Sequence, residues 1–234
     1  MFKDKYNLTL KQNIFLAKKL IVENIYNSAR LEGCNVTFLD TKTILDGISV
    51  ANLKMSDVEV ILNLRDAWRY LIDNIEKPFN LDFICKINYF VARNESLEWG
   101  VLRNGNVSIS GVDYVPTIPN KENVIDSINK ILDIENVTER AIKYFLWGMR
   151  SQLFWDGNKR TSTLCANKIL ITEGKGILSI QEKYMREFNV RLSEFYNTND
   201  YSKIDSFIYD NCIHGLVLQQ EQVKENEDED ELEI

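Results

Sequence analysis

The sequence has little histidine, little excess basic charge and no long apolar run. Its one histidine, His214, lies near the C-terminal end beside Gly215, with no evident chemical partner. The formal net charge is −7, and most of it comes from the seven acidic residues between 224 and 234. The remaining chain is close to neutral, which argues against a basic face that binds nucleic acid. No apolar run is long enough to span a membrane, and we find no signal-peptide pattern.

Cysteine is sparse as well, and its spacing argues against a metal site. The four cysteines are far apart in the chain: Cys34, Cys85, Cys165 and Cys212. None of them forms a pair with the spacing of metal ligands. We therefore expect reduced thiols in a cytoplasmic protein.

Apolar residues recur at helical spacing through most of the 234 residues, which are enough for one well-buried domain. Helices are predicted over residues 9–32, 41–48, 61–75, from 81 onward, 121–134, 137–153, 161–172, 181–196 and 201–213. The pattern changes at Val101–Ile109, where Asn104-Gly105-Asn106 separates two short apolar runs. Such a turn sequence predicts a β-hairpin. The expected fold is therefore mostly α, with one small β-hairpin.

The stretch from Gln152 to Arg160 joins two of the predicted helices. Asp156, Gly157 and Asn158 have turn chemistry, and Asn158 is a good N-cap for the following helix. Lys159 and Arg160 then fall in the first turn of that helix, where a cation costs up to about 1 kcal/mol. An anion is therefore expected beside them.

Free amides at a helix start, a glycine and two cations are typical of a phosphate site. Asp156 lies at its edge, and Mg²⁺ is commonly held by one or two carboxylates together with substrate phosphates. The alternative is an ordinary turn in which Asp156 pairs with Lys159 or Arg160. Short motifs alone do not decide between the two.

This stretch resembles the active-site motif of the Fic (Fido-domain) family, His-x-Phe-x-Asp/Glu-Gly-Asn-Gly/Lys-Arg. Six residues match it: Phe154, Asp156, Gly157, Asn158, Lys159 and Arg160. The resemblance implies transfer of AMP from ATP to a protein hydroxyl, or of another phosphate-containing group. It implies that Asp156 holds Mg²⁺, that Gly157 and Asn158 line the anion hole with Lys159 beside them, and that Arg160 grips the distal phosphates.

Two residues depart from the family pattern. Gln152 stands at the position of the catalytic histidine, and an amide has no titratable group with which to act as a base. General-base catalysis contributes about 10²–10⁴-fold, so its loss predicts weak or altered activity. Thr163 stands where many members have a second arginine. Lys159 is similar to the Doc branch, whose members act as protein kinases.

Residues Ser28 to Gly33 match the family's inhibitory motif, Ser/Thr-x-x-x-Glu-Gly/Asn. Glu32 continues an apolar stripe of the first helix, where a buried carboxylate needs a partner. The alternative is a surface glutamate. The resemblance implies that Glu32 enters the nucleotide site and blocks placement of the γ-phosphate. Because Thr163 replaces the usual partner, Glu32 is expected to pair with Arg160 or Lys159.

The resemblance also assigns a partner to the Val101–Ile109 hairpin. In the family this element, called the flap, pairs with an extended segment of the target protein by strand addition. The alternative is a hairpin that only covers the core.

We predict an N-terminal helix with the inhibitory-type motif over residues 1–33, a Fic/Fido core over 34–218 and a disordered acidic tail over 219–234. The predicted function is weak or altered AMP transfer that depends on ATP and Mg²⁺. Three alternatives remain open: a nucleotide-binding regulatory module without turnover, Doc-like transfer of the γ-phosphate, and slow removal of AMP from modified proteins. The sequence does not predict an oligomeric state.

Overall fold

The structure is a computed structural model that describes residues 2–216, so the acidic tail predicted at 219–234 lies outside the described residues. Within that range the chain forms ten helices and two short strands. The elements are α1 (Leu10–Lys19), α2 (Ile21–Leu31), α3 (Phe38–Leu45), α4 (Met55–Asp73), α5 (Leu81–Val91), α6 (Lys121–Leu132), α7 (Val137–Ser151), α8 (Asn158–Thr172), β1 (Ile177–Leu178), α9 (Glu182–Thr198), α10 (Ile204–Cys212) and β2 (Ile213–His214).

The central element of the fold is α8, nearly all of whose side chains are buried. It packs along α7 and also contacts α1, α4, α5 and β1. Its polar residues bond within the protein, and Asn167 exchanges two 2.9 Å hydrogen bonds with the backbone of Leu178 in β1. The start of α8, where the predicted motif ends, is therefore fixed by packing on several sides.

The single helix predicted over residues 9–32 is wrong, because the structure divides it at Leu20. Thr9 caps α1 through a capping box with Gln12, and Leu20 leaves the helical region of backbone space with φ −98° and ψ 13°. The two halves pack on different neighbours: α1 contacts α8 and β1, whereas α2 contacts α3, α4 and α9. The apolar stripe continues through the break, so the sequence pattern did not show it.

The fold class, mostly helical with one small pair of antiparallel strands, is confirmed. The pair consists of β1 and β2, in which Ile177 is opposite His214 and Leu178 is opposite Ile213. The hairpin predicted at Val101–Ile109 is wrong, because residues 101–109 contain no strand.

A buried arginine organises this segment in place of strand pairing. Arg103 is 1% exposed, and its guanidinium donates to the carbonyl oxygens of Gly105 at 2.5 Å and Thr117 at 2.5 Å. Its Nε donates to the carbonyl oxygen of Gln152 at 2.6 Å, and its amide donates to that of Leu153 at 3.0 Å. Burial lowers the pKa of Arg103. The path of this segment is thus set by hydrogen bonds to the Arg103 side chain, which also connect it to the end of α7.

Two further expectations concern membranes and cysteines. None of the helices within residues 2–216 combines the length and apolar character needed to cross a bilayer. All four cysteines are free thiols, and burial raises the pKa of Cys34 and of Cys85 to about 11.

Candidate functional site

The predicted motif forms a tight corner between α7 and α8. Gln152 ends α7 in the left-handed region, with φ 46° and ψ 58°. Gly157 is the N-cap of α8 with φ +71°, so the prediction of Asn158 as N-cap is wrong. Asn158 begins the helix, and its side chain spans the loop, accepting from the amide of Phe154 at 2.9 Å and donating to the carbonyl oxygen of Phe154 at 2.9 Å. The positive φ favours glycine at the cap position. Because Asn158 is not the cap, its side-chain carboxamide bonds across the loop to Phe154 instead.

The corner is held against α5. A Cβ on Gly157 would lie 2.7 Å from Cγ1 of Val91 and 3.3 Å from Cβ of Ala92. Asn88, also on α5, donates through Nδ2 to the carbonyl oxygen of Asp156 at 3.0 Å. Glycine is therefore required at position 157 by both backbone angle and space.

The start of α8 has the features expected of an anion site. Among residues 2–216, no side chain caps its first amides. The amide of Gly157 donates to Oδ1 of Asp156 at 2.5 Å, which orients that carboxylate along the edge of the corner. The Asp156 side chain is half exposed, and among residues 2–216 no hydrogen bond reaches its other oxygen. That free oxygen suits a divalent cation.

Metal ligands are otherwise few. In the part of the chain that the structure describes, no group of three or more histidine, cysteine, aspartate or glutamate side chains is placed to hold a metal ion. The chain's histidine, His214, lies in β2 with Nε2 3.2 Å from the carbonyl oxygen of Ser179. A cation at the corner would therefore take Asp156 as its protein ligand and complete its coordination with phosphate oxygens and water.

Arg160 is the most deeply buried charge at the corner, with 3% of its surface exposed. Its Nη1 donates to Oε2 of Glu95 at 2.8 Å and to the carbonyl oxygen of Val91 at 3.2 Å. Its Nη2 is 3.4 Å from Oδ1 of Asp156, and its Nε is 3.4 Å from Oε1 of Glu32. Burial opposes the charge, but the three carboxylates outweigh it and raise the pKa of Arg160 above its ordinary value.

One hydrogen-bond donor of Arg160, Nε, has no acceptor among the described residues. Although Nε lies 3.4 Å from Glu32, it makes no hydrogen bond with any residue from 2 to 216. A buried donor without an acceptor costs about 1–3 kcal/mol. An oxygen of a bound anion would satisfy it.

Glu32 reaches the corner from the end of α2. The helix ends in a Schellman motif: the amide of Gly33, at φ +89°, donates to Arg30, and the amide of Cys34 donates to Ala29. This ending directs Glu32, 17% exposed, toward the motif instead of into solvent. The alternative of a surface glutamate is therefore wrong.

Both expected partners of Glu32 lie beside it. Oε2 of Glu32 is 3.5 Å from Nζ of Lys159, and Oε1 is 3.4 Å from Nε of Arg160. Lys159 also donates to the carbonyl oxygen of Leu31 at 3.2 Å. The end of α2 is thus held to the first turn of α8.

Glu95 is a residue of the site that sequence patterns do not indicate. It lies between α5 and α6, outside any helical pattern, with 15% of its side chain exposed. One of its oxygens accepts from Arg160, and the other accepts from Nδ2 of Asn63 on α4 at 2.8 Å. Only the folded chain brings these three residues together.

Comparison with known proteins identifies this corner. Residues 78–170 match the sequence model of the Fic/DOC family. Residues 78–170 therefore belong to the Fic/DOC family. No curated protein matches the sequence at a significant level.

Solved structures of Fic proteins share the fold of this chain. A Fic domain-containing signaling protein from Bacteroides thetaiotaomicron superposes with a TM-score of 0.70 at 20% identity, over 87% of this chain and 85% of that one. Fic-1 from C. elegans superposes with a TM-score of 0.68 at 20% identity, over 83% of this chain and 60% of that one. A Fic family protein from Desulfovibrio desulfuricans superposes with a TM-score of 0.65 at 14% identity, over 84% of this chain and 63% of that one. This chain thus spans about 60% of the solved C. elegans chain, and these identities show likeness of fold.

Gln152, which the motif resemblance aligns with the histidine of Fic proteins, is bonded at both ends of its side chain. Nε2 donates to the carbonyl oxygen of Met149 at 2.6 Å, and Oε1 accepts from Nδ2 of Asn158 at 3.1 Å. The side-chain amide of Gln152 therefore links the end of α7 to the start of α8.

Thr163, which the motif resemblance aligns with a second arginine of Fic proteins, bonds back to its own helix. Its hydroxyl donates to the carbonyl oxygen of Lys159 at 2.9 Å. A small cavity beside it is also lined by Ser28, Leu31 and Trp68.

Proposed function

We propose that this protein binds ATP with Mg²⁺ at the start of α8 and transfers AMP to a protein hydroxyl at a low rate. The observation that carries the proposal is the unsatisfied Nε of buried Arg160, which lies beside the uncapped start of α8 and the free oxygen of Asp156. An unpaired donor, free amides and one carboxylate suit a phosphate chain with its cation.

Each residue of the corner has a role in this proposal. The backbone amide of Asn158 holds a phosphate beside Gly157, Lys159 adds positive charge, and Arg160 takes the distal phosphates. Asp156 binds Mg²⁺, which neutralises charge on the phosphates when bound. Because Gln152 cannot accept a proton, the attacking hydroxyl loses its proton without a protein base at this position, and turnover is slow.

Glu32 regulates the site in the same proposal. It lies within 3.5 Å of both cations, and Arg160 is almost inaccessible to solvent. A phosphate would have to displace the carboxylate before it reached Nε. Loss of Glu32 should therefore open the site, with Ser28 and Gly33 serving to place it.

The target protein is proposed to lie along residues 101–109. Side chains from Asn104 to Ser110 alternate between exposed and half-buried, as in an extended strand, although the described chain provides no strand partner. A Cβ on Gly105 would lie 2.5 Å from the ring of Trp155, so this segment packs directly on the motif loop. An extended target chain paired here would bring its hydroxyl to the corner.

The second candidate is a nucleotide-binding regulatory module without turnover. It is favoured by Gln152, whose side-chain amide is hydrogen-bonded within the loop through both its nitrogen and its oxygen. In a Doc-like reaction, which Lys159 favours, the γ-phosphate would be transferred instead.

The test uses the wild type, Glu32→Gly, and Glu32→Gly with Gln152→His, incubated with Mg²⁺ and cell lysate. ATP is labelled at the α-phosphate or, separately, at the γ-phosphate. We expect weak transfer of α-label by Glu32→Gly, and about 100-fold more after histidine is added. Transfer of γ-label alone would identify the Doc-like reaction. Label only with histidine would leave the native chain a binding module.

A further inference from the structure

The guanidinium of Arg160 has two edges with different partners. On the inner side, Nη1 makes a 2.8 Å bond to Glu95 and a 3.2 Å bond to the carbonyl oxygen of Val91. On the outer side, Nε and Nη2 lie at 3.4 Å from Glu32 and Asp156, and Nε makes no hydrogen bond among the described residues. The inner edge is held by two hydrogen bonds, whereas the outer edge has only the long 3.4 Å hydrogen bond from Nη2 to Asp156.

Glu95 is itself fixed. Asn63, 3% exposed on α4, donates to Oε1 of Glu95 at 2.8 Å and to the carbonyl oxygen of Arg93 at 2.8 Å. Arg93 in turn donates to Oδ1 of Asn63 at 3.1 Å and to Asp66 at 3.0 Å. A continuous set of bonds therefore runs from α4 through Glu95 to Arg160.

We propose that Glu95 is a positioning residue that pins the inner edge of Arg160 and so holds Nε and Nη2 toward the distal phosphates of the nucleotide. The inference rests on the proposed function, because it assigns those phosphates to the outer edge. Glu95 and Glu32 thus act on the same arginine with opposite effects. Glu32 occupies the phosphate-binding edge, whereas Glu95 orients it.

Without the charge of Glu95, the inner edge of Arg160 would keep only its 3.2 Å hydrogen bond to the carbonyl oxygen of Val91, and the guanidinium could rotate. The outer donors would then lose their fixed direction, and binding would have to supply the ordering that the fold now provides. The loss of affinity should be seen for nucleotides that have distal phosphates, such as ATP and ADP, and not for AMP, which lacks them.

The test compares Glu32→Gly with the double variant that adds Glu95→Gln. Glutamine keeps the size of the side chain and an oxygen for Asn63 but removes the charge. The matched control is Glu98→Gln in the same background, since Glu98 is an exposed glutamate of the same segment. Affinities for ATP and ADP with Mg²⁺ are measured by calorimetry, and that for AMP by ligand-observed NMR.

We expect Glu95→Gln to weaken ATP and ADP about tenfold, to change AMP by less than about twofold, and Glu98→Gln to change none of them. Unchanged or tighter ATP binding would overturn the positioning role, as would equal losses for AMP and ATP. If the glutamine variant does not fold, Glu95→Asp, which is too short to reach Arg160, should show the same selective loss. Failure of Glu32→Gly to bind any nucleotide would instead overturn the proposed function itself.

Discussion

Oε1 of Glu32 lies 3.4 Å from Nε of Arg160, and yet the two make no hydrogen bond. The ion pair therefore neutralises the buried guanidinium without using its donor. Hydrogen bonds between charged groups are stronger than those between neutral groups. Because Glu32 lacks such a bond to Nε, a phosphate oxygen that makes one can displace it more easily. The contact with which Glu32 closes the site is thus one that a bound phosphate can replace.

Replacing Asp156 with asparagine should remove the dependence of nucleotide binding on Mg²⁺. The amide has no charge to attract the cation, while the amides of α8 and Arg160 remain in place. In the Glu32→Gly background, ATP affinity measured with Mg²⁺ should fall about tenfold and become equal to the affinity measured in EDTA. A difference between Mg²⁺ and EDTA that persists in Asp156→Asn would show that another group binds the metal.

Gly157→Ala should destabilise the protein more than Gly47→Ala. Both glycines have positive φ, +71° and +83°, so both substitutions carry the backbone cost of about 1–3 kcal/mol. At position 157 the new methyl group also meets Val91 at 2.7 Å, whereas at position 47 nothing lies within 4 Å.

The extra loss in free energy of unfolding at position 157, measured with urea, should be about 1–3 kcal/mol, the usual cost of overpacking. Equal losses for the two variants would contradict the close packing of the motif corner on α5.

Arg103→Met should be severely destabilising. The substitution removes the donor for the partly buried carbonyl oxygens of Gly105, Thr117 and Gln152. We expect a loss of about 4 kcal/mol in the free energy of unfolding. Arg186→Met, at an exposed arginine of α9, should change it by less than about 0.5 kcal/mol. Similar values for both variants would show that the 101–117 segment does not depend on Arg103.

His214 should make stability depend on pH. Burial lowers the pKa of His214 in the folded chain below the ordinary value of about 6.5. The unfolded state then binds more protons, so the free energy of unfolding falls as the pH drops below about 6.5. His214 is the chain's one histidine, so His214→Gln should make the free energy of unfolding nearly independent of pH from about 7 to 6. The same slope in both proteins would assign the effect to other groups.

The helices could be predicted from the sequence because their apolar periodicity is local. Errors occurred where other contacts decide the structure. The helix α3 was predicted over 41–48 but occupies Phe38–Leu45, since Thr37 and Asp40 form a capping box that was present in the sequence and overlooked. The break at Leu20 has no such signal, because it reflects which neighbours α1 and α2 pack against.

The candidate site shows the same division. The corner and its cations follow from one short stretch of sequence, and Glu32 was expected beside them from the resemblance of residues 28–33 to the Fic inhibitory motif. Glu95 could not be predicted, since its bonds to Asn63 and Arg160 join distant parts of the chain. The supposed hairpin failed for the same reason: Asn104-Gly105-Asn106 resembles a turn, but Arg103 determines the path of the segment.

The central claim is that the start of α8 is a nucleotide site that Glu32 closes. Its most direct test is the calorimetric affinity of wild type and Glu32→Gly for ATP with Mg²⁺, with Glu173→Gly at the C-cap of α8 as a control for glycine at a helix end. We predict binding at least about tenfold tighter in Glu32→Gly and no such gain in the control. Equal affinities in all three proteins, or no binding in any, would contradict the account.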